Sequence, residues 1–332
     1  MLRVILVLSI LSFTQLFAYT QEIVTSADLP TFIEWYSQND YYQLRNPSDR
    51  YFTSGNTLTL QTRELGKSKW ALSNIFPFRQ LGKEAQNIYQ VQIHHQLYSP
   101  FDIKWEDPKK MDRPYASLAF LTLGNVTYTK LGRSNWRFEK RLHLGWAGPT
   151  LGGEAFQNWY HKLTNNPEAK GWQYELADQP IVQIDVATHK ALGNQAGMHN
   201  TKWQSQLIFY NQVQVGLLYG WLDVGLRYQL GNISDYFLPR TIQLKGWKGY
   251  AYFDIKGRGV FYNNLITGKI SNEENINLFK EVRINPVIIE GEYGFVIRNG
   301  KWELRLSQYF LTPELRGSAA HYRGGIGGRK YF

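Results

Sequence analysis

Two side chains that could carry out acid–base chemistry, Gln157 and His161, stand four residues apart, directly after a turn rich in Gly and Pro. Residues 153–163 resemble a short helix, and helical positions four apart lie side by side on one face. An imidazole can accept a proton from water near neutral pH, and a neighbouring polar group can fix which ring nitrogen accepts it. The spacing therefore makes His161 a candidate general base, with a histidine that only caps or packs as the alternative.

The amino-terminal residues have the composition of a secretory signal peptide. Arg3 precedes an apolar run over residues 4–13, and the small residue Ala18 is followed by polar residues. The run is too short to cross a bilayer as a helix, and no later run approaches the roughly 20 apolar residues that a membrane helix needs. We therefore expect residues 1–18 to be removed on export and residues 19–332 to form one domain.

The composition favours a membrane surface over nucleic acid as the partner. The chain has no cysteine, so an exported fold depends on hydrogen bonds and packing without disulfides. The net charge of +10 falls to about +9 without the leader, which contains one Arg and no acidic residue. Such a charge suits the phosphate-bearing surface of a membrane. Aromatic residues make up 15% of the chain, including 22 Tyr and 11 Trp, and both of these favour membrane–water interfaces.

Apolar and polar residues alternate with a period of two from one end of the chain to the other. Between residues 89 and 97, for example, Tyr, Val, Ile and Leu alternate with Gln and His. The segments are about ten residues long, which is typical of tilted membrane strands and longer than the average soluble strand. They predict an all-β fold, a twelve-stranded antiparallel transmembrane β-barrel, with strands at 32–39, 54–64, 87–98, 115–127, 136–146, 181–189, 204–215, 219–230, 247–255, 284–297, 302–312 and 322–332.

An even number of strands places both chain ends on one side of the membrane and gives each connection a side. The odd-numbered connections then face outward, and three of them are long and polar: 37–53, 99–114 and 147–180. These three share one rim, so we expect Asn39, Asp40 and Thr53 to lie near the predicted helix that carries Gln157 and His161. Phe332, which ends the last strand, resembles the assembly signal of bacterial outer-membrane proteins, and we expect the chain in that membrane as a monomer.

Six short motifs follow one another in the first 180 residues: Asn39-Asp40, Asp49-Arg50-Tyr-Phe-Thr53-Ser-Gly55, Tyr98-Ser-Pro100, Asp112-Arg113-Pro-Tyr-Ala116, Gly148-Pro149 with Gln157-x-x-x-His161, and Gly171-Trp172 with Pro180. Their order resembles that of the outer-membrane lipid A 3′-O-deacylase family, although Phe-Thr-Ser-Gly replaces the more usual Tyr-Thr-Asn-Gly. The second half is similar only in strand pattern and terminal Phe. The resemblance implies a twelve-stranded barrel, calcium dependence and removal of the 3′-linked acyloxyacyl group from lipid A in the outer leaflet. It also implies active-site roles for Asn39, Asp40, Thr53, Gln157 and His161.

Ester hydrolysis by water needs a base for the water and positive charge or donors for the developing oxyanion. His161 can serve as the base. A hard cation such as calcium prefers oxygen ligands, which Asp40, Asn39 and Thr53 offer. Glu168, in the loop after the predicted helix, is a further candidate metal ligand.

Alternatives exist for several of these residues. Ser54 and Ser99 are the candidates for a serine nucleophile near the rim, but neither stands in a Gly-x-Ser-x-Gly turn. An Asp112–Arg113 pair can simply brace a turn. The competing class of protein is a non-enzymatic porin or structural barrel. The second outward connection carries four basic residues that would suit the phosphates of lipopolysaccharide, or would only be solvated: Lys104, Lys109, Lys110 and Arg113.

Overall fold

The structure, a computed structural model, describes residues 29–44, 50–66, 85–132, 134–192, 203–232, 236–237, 246–268 and 283–332. The predicted leader and Asp49 lie outside these ranges. Within them the chain forms twelve strands and two α-helices. The helices are α1 (Gly153–Thr164), at the place predicted for a short helix, and α2 (Asn264–Thr267). No helix in the described ranges has the length and apolar character needed to cross a membrane.

The strands form one closed antiparallel barrel, in which every strand pairs with its neighbours in the sequence. The first strand also pairs with the last, so that Phe32 lies opposite Tyr331 and Asn39 lies opposite Gly324. The predicted twelve-stranded antiparallel barrel is therefore confirmed. The strands are β1 (Phe32–Asn39), β2 (Tyr51–Thr62), β3 (Gln86–Ser99), β4 (Ala116–Leu131), β5 (Ser134–Ala147), β6 (Gln179–Leu192), β7 (Gln204–Gly216), β8 (Tyr219–Gly231), β9 (Trp247–Asn263), β10 (Val287–Asn299), β11 (Trp302–Leu311) and β12 (His321–Tyr331).

The alternation in the sequence separates an apolar outer wall from a polar lumen. On β10 the exposed apolar side chains occupy every second position, whereas Glu290 and Arg298 between them are buried. The same parity exposes Ile33 and Trp35 on β1 and Ile93 on β3. An apolar outer wall around a polar interior is the arrangement that a bilayer requires of a barrel.

Ion pairs line the inner face of the barrel wall. Asp223 is fully buried, and Arg258 Nε lies 2.7 Å from its Oδ1 while Lys256 Nζ lies 3.5 Å from its Oδ2. Lys256 Nζ lies 3.2 Å from Glu290 Oε2, and Arg323 Nη2 lies 3.1 Å from Glu290 Oε1. An uncompensated charge away from water would cost several kcal/mol, so this pairing is what permits so many charged residues inside the barrel.

The largest difference from the predicted strand ends is at β9. We expected this strand to end at residue 255, but it continues to Asn263. Residues 256–259 read Lys-Gly-Arg-Gly, which has the composition of a turn. The strand continues through them because both basic side chains meet acidic partners on the neighbouring strands β8 and β10.

The connections β1–β2, β3–β4 and β5–β6, the last of which contains α1, lie at one end of the barrel, which we call the loop end. The three long connections therefore share one rim, as predicted. An apolar cluster lies there beneath the connections and includes Leu118, Leu176, Ile181, Leu218 and Leu265 of α2. This packing gives the connections a fixed base on which side chains can be positioned.

Candidate active site

A pocket of about 360 Å³ lies at the loop end, between α1 and strands β1 to β3. It opens on the outside of the wall, because Ser37 and Asn39, which line it, continue the outward row of Ile33 and Trp35 on β1. The five residues predicted to form the active site all line this pocket: Asn39, Asp40, Thr53, Gln157 and His161. The structure therefore brings these residues together, and their chemical roles stay predictions.

The end of β1 fixes two of these side chains. Asn39 caps a short 3-10 turn, since its Oδ1 accepts the backbone N–H of Tyr41 at 2.7 Å. Asp40 begins the turn and is 2% exposed, and its Oδ2 accepts the backbone N–H of Arg50 at 2.8 Å. A carboxylate held by a backbone N–H makes a strong, charge-assisted hydrogen bond. The Asp40 carboxylate is thus oriented by the strand that returns from the first connection.

His161 lies on the face of α1 that packs on the wall. This face begins at Gly153, where an added Cβ would come within 2.7 Å of Ser117 Cβ and 2.8 Å of the Trp172 ring, so the helix approaches more closely than a larger residue would allow. After α1, Asn165 adopts a left-handed conformation (φ 55°) and turns the chain back. This turn brings the carbonyl oxygen of Pro167 to 2.6 Å from His161 Nδ1.

The contact with Pro167 determines the tautomer of His161. A carbonyl oxygen can only accept a hydrogen bond, so His161 Nδ1 carries the proton and donates it. In the neutral ring the lone pair is then on Nε2. We expected a neighbouring polar group to select the ring nitrogen, and the group that does so is this backbone carbonyl. The nitrogen of a neutral His161 that can accept a proton is therefore Nε2.

Gln157 is held by a tryptophan. Trp172 Nε1 donates to Gln157 Oε1 at 3.0 Å, and both side chains are buried. Trp172 belongs to an apolar cluster with Leu97 of β3 and Tyr115. Since the amide oxygen is directed to the indole, the amide NH₂ is the end of Gln157 that can donate in the pocket. The sequence contained Trp172 as part of a motif but gave no sign of this contact.

Glu175 is a residue that the sequence did not single out. Its Oε1 accepts the backbone N–H of Ser117 at 2.9 Å and lies in hydrogen-bond contact with Ser117 Oγ, which is also 3.0 Å from the carbonyl oxygen of Gly148. Burial raises the pKa of the Glu175 carboxyl to about 7. The Ser117 hydroxyl therefore has two acceptors within hydrogen-bond distance, the Glu175 carboxyl and the Gly148 carbonyl oxygen. This arrangement ties the segment after α1 to β4.

The model of the family described as outer membrane protein LpxR matches residues 4–330 of the chain. The chain belongs to the LpxR family of outer membrane proteins. The resemblance seen in its motifs is thus confirmed, and the protein is an outer-membrane barrel, as predicted.

Solved structures of other outer-membrane proteins resemble the chain to different degrees, and the first of them shares its fold. LpxR from Salmonella typhimurium has a TM-score of 0.64 at 17% identity and covers 91% of this chain and 100% of its own. The translocator domain of autotransporter NalP from Neisseria meningitidis has a TM-score of 0.43 at 8% identity and covers 99% and 98%. The beta domain of the Bordetella autotransporter BrkA has a TM-score of 0.42 at 11% identity and covers 91% and 99%. No curated protein sequence matches the chain.

The basic residues expected to bind phosphates in this LpxR family member lie in different environments. Lys104 is exposed and lines the pocket. Lys109 and Lys110 are exposed on a 3-10 turn and do not line it. Arg113 is instead buried: its Nη1 lies 3.3 Å from Glu314 Oε2, and its guanidinium stacks over the Tyr98 ring. Arg113 therefore braces the connections and does not present its charge at the surface.

Asp112 also braces the connections. We considered a local ion pair of Asp112 with Arg113, but its partners are Tyr51, whose hydroxyl donates to Oδ2 at 2.9 Å, and the backbone N–H of Phe101, which donates to Oδ1 at 3.0 Å. Of the two serines considered as nucleophiles, Ser54 lines the pocket, whereas Ser99 is fully buried.

The family resemblance implies calcium, and the pocket offers oxygen atoms of the kinds that calcium prefers. Asp40 supplies a carboxylate, Asn39 an amide oxygen and Thr53 a hydroxyl. Glu168, the other expected ligand, is exposed and does not line the pocket. Among the residues that the structure describes, no three His, Asp or Glu side chains form a cluster that could hold a metal. The oxygen donors of Asp40, Asn39 and Thr53 are of the types that calcium binds, and further neutral oxygens would be needed to complete its coordination shell.

Proposed function

We propose that the protein is a calcium-dependent esterase that hydrolyses the 3′-linked acyloxyacyl group of lipid A in the outer leaflet. The observation that carries this proposal is the His161–Pro167 hydrogen bond, which prepares a base inside a pocket on the outer wall. An ester at the level of the outer leaflet can reach such a pocket without leaving the membrane. Membership of the LpxR family and the six ordered motifs support the choice of lipid A.

In the proposed reaction His161 Nε2 accepts a proton from a water molecule while the water oxygen attacks the acyl carbonyl carbon. The tetrahedral intermediate carries a negative oxygen, which the NH₂ group of Gln157 can stabilise as a donor. The bond between the acyl carbon and the 3′-oxygen then breaks, and His161 returns its proton to the departing 3′-oxygen. The products are the free acyloxyacyl acid and lipid A with a 3′-hydroxyl.

The residues at the end of β1, together with Thr53 of β2, would hold a cation that stabilises the oxyanion. A calcium ion bound by Asp40 with the neutral oxygens of Asn39 and Thr53 would supply positive charge beside the developing oxyanion. The backbone N–H of Arg50 holds the Asp40 carboxylate in its orientation. Lys104 at the edge of the same pocket would bind a phosphate of lipid A.

Mass spectrometry of lipid A tests the proposal. We expect lipid A from cells producing the wild-type protein to lack the 3′-acyloxyacyl group, and His161→Ala to slow deacylation by about 10² to 10⁴, the usual contribution of a general base. Lys162→Ala, at the next, exposed position of α1, is the matched control and should keep wild-type activity. The heat-modifiable gel shift of a closed barrel shows that each variant is folded.

Calcium and the serine route are tested with the same assay. Activity should disappear with a calcium chelator and return when calcium is added. Wild-type activity in folded His161→Ala would refute the base assignment. Activity of the wild-type protein that persists with the chelator and is lost in Ser54→Ala would favour a serine nucleophile. If the wild-type protein releases no acyl group at any calcium concentration, it is a non-enzymatic barrel.

A further inference from the structure

The outward face of α1 is apolar. Phe156, Trp159 and Leu163 stand three and four residues apart, so they form one stripe along the helix, and they are 39%, 57% and 65% exposed. The face of α1 that carries Gln157 and His161 is buried. A helix on the surface of a soluble domain turns its apolar stripe toward the core and its polar residues toward water. The arrangement in α1 is the reverse.

α1 lies on the outer surface of the barrel wall. The Phe156 ring packs edge-on against the ring of His95, with 5.0 Å between the centroids. His95 belongs to the outward row of β3, two residues from Ile93, which is exposed, and Ile93 is paired with Leu121 of β4, which is exposed as well. The apolar stripe of α1 therefore continues the apolar outer wall through the face of the His95 ring.

We propose that the apolar stripe of α1 is inserted among the acyl chains of the outer leaflet. Its occupant is lipid, because the wall that it continues must be covered by the bilayer. A helix with Trp, Phe and Leu on one face and polar residues on the other has the character of an interfacial membrane helix. The placement stands on geometry alone, whereas its meaning for catalysis rests on the proposed function.

The mouth of the pocket has the same character. Tyr41 and Phe101, which line the pocket, are 55% and 41% exposed, and Leu44 is 80% exposed where the first connection leaves the wall. Lys104 lies at the same mouth. With α1 inserted in the leaflet, an acyl chain enters the pocket sideways along apolar side chains, while the headgroup stays beside the lysine. The helix thereby sets the depth at which an ester meets His161.

Fluorescent labels at single cysteines test the insertion, and the absence of native cysteine makes each label unique. Trp159→Cys and Leu163→Cys report on the stripe, and neither residue lines the pocket. Glu154→Cys, at another exposed position of α1, is the matched control, and Leu306→Cys marks the lipid-covered wall of β11. Each protein carries an environment-sensitive fluorophore and is refolded into phosphatidylcholine vesicles that contain lipid A, with its heat-modifiable gel shift as the folding check.

The labels at positions 159 and 163 should emit at shorter wavelength than the label at 154 and should lose emission to spin-labelled phosphatidylcholine, as the label at 306 does. Aqueous iodide should quench only the label at 154. Quenching by iodide at 159 and 163 would overturn the proposal, and so would protection from both quenchers, which indicates that another protein covers the stripe. The labels require no turnover, so the same result is expected in a His161→Ala background and is independent of whether the protein is an esterase.

Discussion

Ionisation of Glu175 should loosen α1 as the pH rises. Burial raises the pKa of this carboxyl from the ordinary 4.5 to about 7, and the negative charges of Asp178 and Glu154 act in the same direction, while hydrogen bonds from Ser117 oppose them. When the segment that contains Glu175 opens to water, the pKa of the carboxyl returns to its ordinary value. Between about pH 4.5 and pH 7 the open state therefore loses a proton that the closed state keeps, so rising pH favours opening.

The magnitude follows from the two pKa values. Their difference corresponds to about 3 kcal/mol at 1.36 kcal/mol per pH unit. Because the Glu175 side chain is only half-buried, solvent screening reduces this to about 1–2 kcal/mol. The free energy of opening should fall by that amount between about pH 4.5 and pH 7 and stay level above it, which raises the open population about 5- to 30-fold.

Hydrogen exchange of the α1 amides measures this opening. Protection factors, which are corrected for the intrinsic exchange rate at each pH, should decline about tenfold in the wild-type protein between about pH 5 and pH 8. Glu175→Gln, whose amide mimics the protonated acid, should remove the decline, and Lys162→Gln, at an exposed position of α1, should keep it. A wild-type profile independent of pH, or the same decline in Glu175→Gln, would refute the reasoning.

Trp172→Phe removes the indole donor to Gln157. Because one neutral hydrogen bond contributes about 1 kcal/mol, we expect kcat to fall about fivefold with little change in KM. An unchanged kcat in steady-state deacylation assays would contradict this expectation. Gly153→Val places carbon atoms where Ser117 and Trp172 already lie, so α1 should lose about 2 kcal/mol of opening free energy in hydrogen exchange while the gel shift persists. Tags inserted at Lys109 should be reachable by antibody on intact cells, and tags at Asn299 should not. Antibody labelling at Asn299 would show that the connections face the opposite sides of the membrane from those assigned.

The barrel was predictable from the sequence because period-two alternation is a local signal. On β1 the same signal places Asn39 in the outward row of Ile33 and Trp35, so the position of the pocket on the outer wall can be read from the sequence pattern as well. We had expected only that the residues meet at the rim. The helix at residues 153–164 was predictable for the same reason, since its spacing of four is local.

The contacts that define the site depend on residues far apart in the sequence or on irregular backbone. The tautomer of His161 is set by a left-handed turn at Asn165, which composition alone does not specify. Arg113 had the appearance of a surface charge, and its partner Glu314 stands about 200 residues later. Such pairings follow from the closed barrel, which brings remote connections to one rim.

The first strand of the barrel has a consequence for the timing of assembly. β1 carries Asn39 and is held by β12 on one side, where Gly324 leaves room for the Tyr42 carbonyl oxygen that a Cβ would approach to 2.2 Å. Gln308 of β11 also donates to that carbonyl, at 3.0 Å. The first connection, which is synthesised early, is therefore held in place by β11 and β12, which are synthesised last. These contacts of the first connection form only when β12 has paired with β1, so its position depends on completion of the barrel.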